Sequence, residues 1–249
     1  MKKTFWYRAL AVLLALMVWQ IASMAVGSEI LLVSPLRVLS RLATIWREEG
    51  FFTTILYTMA RILLGFFLAL TAGFLSAVLA GRFHFVEYLL WPYVVTFRSV
   101  PVASFIILCL IWLSFSQLTV FIAFLIVFPV IYSNMLQGVK STDPKLLEMA
   151  ALYRVPWYRR FFYIELPGIR PYLLAACNIS IGMAWKSGIA AEVIGVVSGS
   201  IGGALYHAKI YFETADLFAW TVIIVLLSAL SEKALFWLIK KAFAGMERL

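Results

Sequence analysis

Ser141-Thr142-Asp143-Pro144-Lys145-Leu146-Leu147-Glu148-Met149-Ala150-Ala151-Leu152-Tyr153-Arg154-Val155-Pro156-Trp157-Tyr158-Arg159-Arg160 lies in the longest polar segment, Gln137 to Pro171, of an otherwise apolar chain. Ser141, Thr142 and Asp143 are candidate helix N-caps, and Pro144 suits a first helical turn. Leu147, Ala150, Ala151 and Arg154 recur at i, i+3, i+4 and i+7, which places them on one side of a helix. Small Ala side chains on that side permit close approach of a partner. Pro156 is expected to end this helix. A second short helix is expected from Trp157 to about Ile164, with Leu166-Pro167-Gly168 turning the chain back into apolar sequence. Two short helices with small residues and aromatics read as a docking element rather than an ordinary basic loop.

The sequence on either side sets the environment of this segment. Of 249 residues, 64% are hydrophobic and 13% charged, against about 25% charged in a soluble domain. Mean hydropathy is +0.97. This excludes a soluble enzyme, and the abundance of aromatic residues excludes disorder. Apolar runs cover Ala9–Val26, Thr53–Ala80, Leu118–Met135, Tyr172–Val197 and Leu217–Ile239, each long enough to span the bilayer core. The first, preceded by Lys2, Lys3 and Arg8, rivals a signal peptide with Ser23-Met24-Ala25 as cleavage site; its length favours a retained helix. Phe85–Phe97 and Val102–Leu113 are each too short to cross alone. Together they form one crossing broken at Arg98-Ser99-Val100-Pro101, a break tolerated only against protein or a watery cavity. Pro129 is expected to kink its span. Pro35–Leu42 reads as an amphipathic helix at the interface. The expected fold is therefore all-α, a polytopic membrane protein of about six transmembrane helices.

The net charge of +9 is a topology marker and not a sign of nucleic acid. With the N-terminus inside, Lys2, Lys3, Arg8, Arg82, Lys140, Lys145, Arg154, Arg159, Arg160, Arg170, Lys240, Lys241 and Arg248 share one side with the 141–167 segment. Arg37, Arg41, Arg47 and Lys209 lie on the other, and Arg61, Arg98, Lys186 and Lys233 fall within spans. By the positive-inside rule both termini are expected in the cytoplasm. Cys109 and Cys177 sit in apolar runs without a CxxC pair, so they read as packing residues. No Gly is followed by Lys, so no Walker A loop is present. Zincin and GxSxG motifs are also missing, and no cluster of nucleophile, base or metal ligands supports a membrane enzyme.

At this point the segment resembles the EAA loop of binding-protein-dependent ABC transporter permeases. That pattern is Glu-Ala-Ala, three residues, Gly, nine residues, Ile, one residue, Leu, then Pro. Glu148, Ala150, Ile164, Leu166 and Pro167 match at the same spacings, while Met149 replaces the first Ala and Arg154 the Gly. Leu32-Val33-Ser34-Pro35, Arg98-Ser99-Val100-Pro101, Gln137-Gly138-Val139 and Ala184-Trp185 followed by Ala190-Ala191-Glu192 resemble blocks of the nitrate, sulfonate and taurine branch. The resemblance implies the MetI-like type I importer fold in a bacterial inner membrane. Residues 1–249 would form a single permease domain: an accessory span at 9–26, core spans at 53–239, and coupling helices at 141–167. It implies docking of two cytoplasmic ATPase subunits on Glu148, Ala150, Ala151, Arg154, Trp157, Leu166 and Pro167. It further implies a second permease copy, a homodimer before a heterodimer, and an extracytoplasmic substrate-binding protein. ATP and Mg belong to the partner, and no cofactor is expected on this chain.

For the translocation path, Arg98, Ser99 and Pro101 at the break, with Trp185, Lys186 and Glu192 in the Tyr172–Val197 span, are the candidates. Intramembrane charges are costly and face a cavity or a partner. A cationic break suits a small anion. The alternatives are a structural pair of Arg98 with Glu87 or Glu192, an Arg61–Glu192 pair, or an aromatic path for a flat heterocycle. An ion-coupled secondary transporter is the rival function, but midplane carboxylates are scarce. The Gly27–Gly50 and Ser198–Asp216 segments face outside and are candidate contacts for the binding protein.

Overall fold

The computed structural model describes residues 2–246; Arg248, counted above among the cytoplasmic basic residues, lies outside them. The described residues are all helical or loop. The helices are α1 (Lys2–Val26), α2 (Pro35–Ile45), α3 (Phe51–Arg82), α4 (His84–Ser99), α5 (Val102–Cys109), α6 (Phe115–Lys140), α7 (Pro144–Leu152), α8 (Trp157–Arg160), α9 (Leu166–Ile194), α10 (Ile201–Ile210) and α11 (Thr214–Met246), with a π-helical turn at Phe161–Glu165. Five are long and apolar enough to span a membrane, and the bent pair α4–α5 supplies a sixth candidate. Arg82, Lys140, Arg170, Lys240 and the α7–α8 segment gather at one end of the bundle, termed here the basic end.

The centre is α3 against α6, with α9 packed across both. Gly65, Ala69, Gly73, Ala77 and Gly81 recur every four residues and so form one stripe along α3. A β-carbon on Gly65 would sit 2.4 Å from the Val120 carbonyl oxygen, and one on Gly73 would sit 2.9 Å from Ile131 Cγ2. Small residues are what lets two helices approach this closely where lipid provides no hydrophobic drive. Phe66, Ile131, Met135, Ile181 and Trp185 fill the space around this seam. By contrast α1 buries none of its apolar stretch. It touches the bundle through Trp19 on Phe218, ring centres 5.4 Å apart.

The ends of the helices follow local chemistry. Ser34 accepts from the Arg37 amide with Pro35 in the first turn of α2. The Ser114 hydroxyl and amide both donate to Gln117 Oε1, at 3.1 and 3.4 Å. Far from the basic end, Arg41 of α2 pairs with Asp216 at the start of α11, Nη2 to Oδ2 2.6 Å, and also with Glu48. The Asp216 hydrogen bond, more than Glu48, raises the Arg41 guanidinium above its ordinary pKa. This pair ties the α2 segment to the bundle.

Two expectations are corrected and one is refined. The α4–α5 break falls at Val100–Pro101, but the helices meet at 104°. So α5 turns sharply away from the α4 axis, because Pro101 removes a backbone donor and pushes Val100 into extended backbone. Leu166-Pro167-Gly168 is no turn: α8, the π turn and α9 join into one helical rod from Trp157 to Ile194. The wide π turn stands just before Pro167, whose ring and missing amide strain a regular ladder. Finally, α2 extends to Ile45, past Leu42, because Ile45 is buried beside the core.

Candidate functional site

At the basic end, the Asp143 carboxylate accepts from the Lys145 amide at 2.9 Å and starts α7 at Pro144. Pro156 does not stop this helix. It ends four residues earlier, at Leu152, where Arg154 takes φ +50. The Val155 amide donates to Ala150 O (2.9 Å) and the Arg154 amide to Ala151 O (3.0 Å). This is a Schellman closure, normally built on Gly. Arg154 thus adopts the backbone for which the motif's Gly is suited, so the turn is retained at a steric cost. Pro156 instead precedes and caps α8. Arg154→Gly should raise the thermal midpoint of the purified protein by about 2–4 °C, from relief of about 1 kcal/mol of left-handed strain; an unchanged or lower midpoint would contradict this.

The two faces of α7 differ. Leu147 is half-buried and Ala150 is 1% exposed, filling a contact inside the chain. Ala150 therefore seats α7 on the bundle and is not free for a partner, which corrects the expectation for it. Glu148, Ala151 and Arg154 face outward, joined by Leu152 (80% exposed), Tyr153 (73%) and Trp157 (68%). Tyr158 meets Trp157 edge-on, ring centres 6.3 Å apart. Leu166 is half-buried and Pro167 exposed at the head of α9. Sequence reasoning passed over Met149, Leu152 and Tyr153; the signal was three large apolar side chains in the most polar stretch. Behind the helices lies a cleft of about 390 Å³, walled by Arg82, Val139, Thr142, Leu147, Trp157 and Arg160. Arg160 is held by Glu165 at 2.8 Å.

The second group divides. Arg98 is exposed at the end of α4, about 21 Å along the helix from His84. Its Nη2 donates to Pro129 O at 3.1 Å, beside the proline of α6. Ser99 Oγ donates to Val95 O, and Pro101 precedes α5. Lys186 is exposed on α9, about 12 Å from its Ile194 end. Trp185, one residue earlier and about 100° around the helix, is 1% exposed and inside the bundle. Glu192 is also fully buried. So Arg98, Ser99 and Lys186 face off the chain, while Trp185 and Glu192 belong to its interior and line no open surface.

The anticipated ion pairs do not form. Glu87 takes Lys140 at 2.6 Å. Arg61 lies over the Tyr57 ring, 3.6 Å from its centre. It interacts with Glu192 only at longer range. Within the Ser198–Asp216 segment, the start of α10 is packed inside the bundle. Ser200, Ile201, Gly202 and Gly203 are buried, so their smallness serves packing and not a mobile contact loop.

A bundle of about six spans, a broken helix with a cation at the break, and a pair of short helices with exposed aromatics at the basic end fit a solute permease. Residues 62–242 match the family described as "Binding-protein-dependent transport system inner membrane component". The chain belongs to this family, and it is the multi-pass inner-membrane permease component of an ABC importer. It is 28% identical to the putative aliphatic sulfonates transport permease protein SsuC of Bacillus subtilis, over 93% of this chain and 84% of that one. It is 27% identical to the taurine transport system permease protein TauC of Escherichia coli, covering 91% and 84% respectively. The formylaminopyrimidine transport permease protein ThiX of Halalkalibacterium halodurans is also 27% identical, covering 90% and 89%. A crystal structure of an amino acid ABC transporter with histidines shares the fold, with TM-score 0.58 and 18% identity over 84% of this chain and 98% of that one.

Proposed function

We propose that this permease carries a small organic or inorganic anion inward, and that residues 141–167 couple it to ATP hydrolysis in separate subunits. The observation that carries the substrate class is the exposure of two cations, Arg98 at the α4–α5 break and Lys186 within α9. Such charges are tolerated where they face a cavity or partner. Similarity to sulfonate and taurine permeases supports this reading. The ThiX similarity favours a second one, a pyrimidine-type solute.

On this reading the basic end is cytoplasmic, with both termini, and one ATPase subunit docks on each of two permease copies. The copies are identical, and the path runs between their exposed Arg98, Ser99 and Lys186 faces. Glu148 is central in the docking surface, ringed by Ala151, Leu152, Tyr153, Arg154 and Trp157. Aromatic and Arg side chains are the usual energetic anchors of an interface. The chain hydrolyses nothing itself; ATP and Mg sit on the partner. ATP-driven closure of the ATPases moves α7 and α8, and the continuous rod from Trp157 to Ile194 transmits that movement to Lys186. Inward and outward states then differ in which contacts they satisfy.

Arg98→Ala and Lys186→Ala should each lower uptake of an anionic substrate by about tenfold or more, at wild-type membrane abundance. Loss of abundance with normal transport per molecule would assign Arg98 to holding Pro129 instead. Unchanged anion uptake in both would favour the uncharged heterocycle.

A further inference from the structure

Among the described residues, Glu192 is the only charged side chain that is fully buried. It lies two residues from the end of α9. Its Oε2 accepts from Thr58 Oγ1 of α3 at 3.0 Å and from the Gly202 amide in the first turn of α10 at 3.1 Å. Its Oε1 accepts from Thr119 Oγ1 of α6 at 3.5 Å. Thr58 Oγ1 in turn accepts from the Ile201 amide at 2.9 Å. Ser200 Oγ accepts from the Gly203 amide at 2.9 Å.

The first three amides of a helix have no partner within it. Here each of the three has its own side-chain acceptor: Thr58 for Ile201, Glu192 for Gly202, Ser200 for Gly203. The carboxylate also stands at the positive end of the α10 dipole. Gly202 leaves no slack, since a β-carbon there would lie 2.2 Å from Glu192 Cβ. One side chain therefore joins α3, α6, α9 and α10, and a buried anion with fewer donors would be costly.

We infer that Glu192 is the positioning residue that locks α10 to the end of α9, so that the two move as one body in the transport cycle. This rests on the permease reading, which puts α10 at the outer face. The far end of α10 is open: His207 stacks on Tyr211, ring centres 6.3 Å apart, and Tyr211 and Phe212 are exposed. A binding protein pressing there acts through Glu192 on α9, the helix that carries Lys186.

The test places Ile201→Cys, a buried position, in a chain with Cys109→Ala and Cys177→Ala, assembled with its ATPase in the membrane. A membrane-impermeant maleimide is applied from outside. Glu192→Ala should raise labelling of position 201 by about tenfold or more, because opening then costs less. Glu192→Gln, which keeps size and an acceptor oxygen, should raise it less than about threefold and restore most uptake. Equal labelling in Glu192→Ala and the parent, at equal abundance, overturns the inference. If Glu192→Ala does not accumulate, Thr58→Val replaces it: a rise of about threefold is expected, and none overturns the lock. A rise seen only in inverted vesicles would overturn the topology and the lock with it, whereas ATP-driven uptake by the parent checks the permease reading independently.

Discussion

Glu148→Lys should leave the protein in the membrane at normal abundance and abolish ATP-driven uptake. Glu148 is exposed on α7 and makes no ion pair within the described residues, so its loss removes nothing that holds the fold. In the proposed docking surface it is flanked by apolar side chains, with Lys145, three positions earlier on α7, the neighbouring cation. Reversing a charge there weakens association by about 2–5 kcal/mol, roughly 30- to 4,000-fold in affinity. The measurement is ATPase retained on the immobilised permease against its concentration, with uptake recorded on the same preparation. Glu148→Gln should lose less, because it keeps the shape and removes only the charge. Normal ATPase retention and uptake by Glu148→Lys would remove Glu148 from the coupling surface.

Gly65→Val should prevent accumulation of folded protein. Its first added carbon would meet the Val120 carbonyl oxygen at 2.4 Å, and a backbone atom has no rotamer to retreat into. The helices α3 and α6 must separate, and α9 packs across the same seam through Gly188, where a β-carbon would lie 2.6 Å from Ile62. Overpacking of this kind costs about 3 kcal/mol or more, a large share of a typical stability. Gly81→Ala should be milder, because its neighbour at 2.4 Å is the side chain of Val139, which can shift. Leu68→Val, on the exposed side of α3, should change stability by less than about 0.5 kcal/mol. Thermal inactivation midpoints of the three variants, with membrane abundance, check this order; a Gly65→Val protein as stable as the parent would contradict the packing described.

The spans were legible because hydropathy over about 20 residues reports directly on the bilayer. All five long runs became helices within a few residues of their expected ends, apart from those that continue at the basic end. The break after Arg98 was legible because Pro101 has one local effect; its angle was not, since that is set by where α5 packs against α6 and α9. The start of α7 could be read from Asp143-Pro144, but its end could not. Arg154 at φ +50 is a position where tertiary fit overrides the local preference for Gly. The π turn at Phe161–Glu165 leaves no residue pattern of its own.

In the candidate site, exposure was the missing information. Trp185 and Lys186 are neighbours in sequence and face opposite environments, because a helix turns about 100° per residue. Ala150 and Ala151 divide in the same way. The Gly65-Ala69-Gly73-Ala77-Gly81 stripe stands in the sequence at a constant interval, and a search for small residues every four positions would have found the central seam. The packed start of α10 inside the Ser198–Asp216 segment was not legible, because small residues serve exposed loops and tight packing equally well; only the Glu192 contacts decide between them.

On the proposed function this chain imports its solute by coupling to a separate ATPase. Uptake into proteoliposomes holding the permease, with ATPase and binding protein supplied separately, tests it most directly. Substrate accumulation should require ATP, the ATPase and the binding protein together, and should be lost in Glu148→Lys. Accumulation by the permease alone, driven by an ion gradient without ATP, would contradict it.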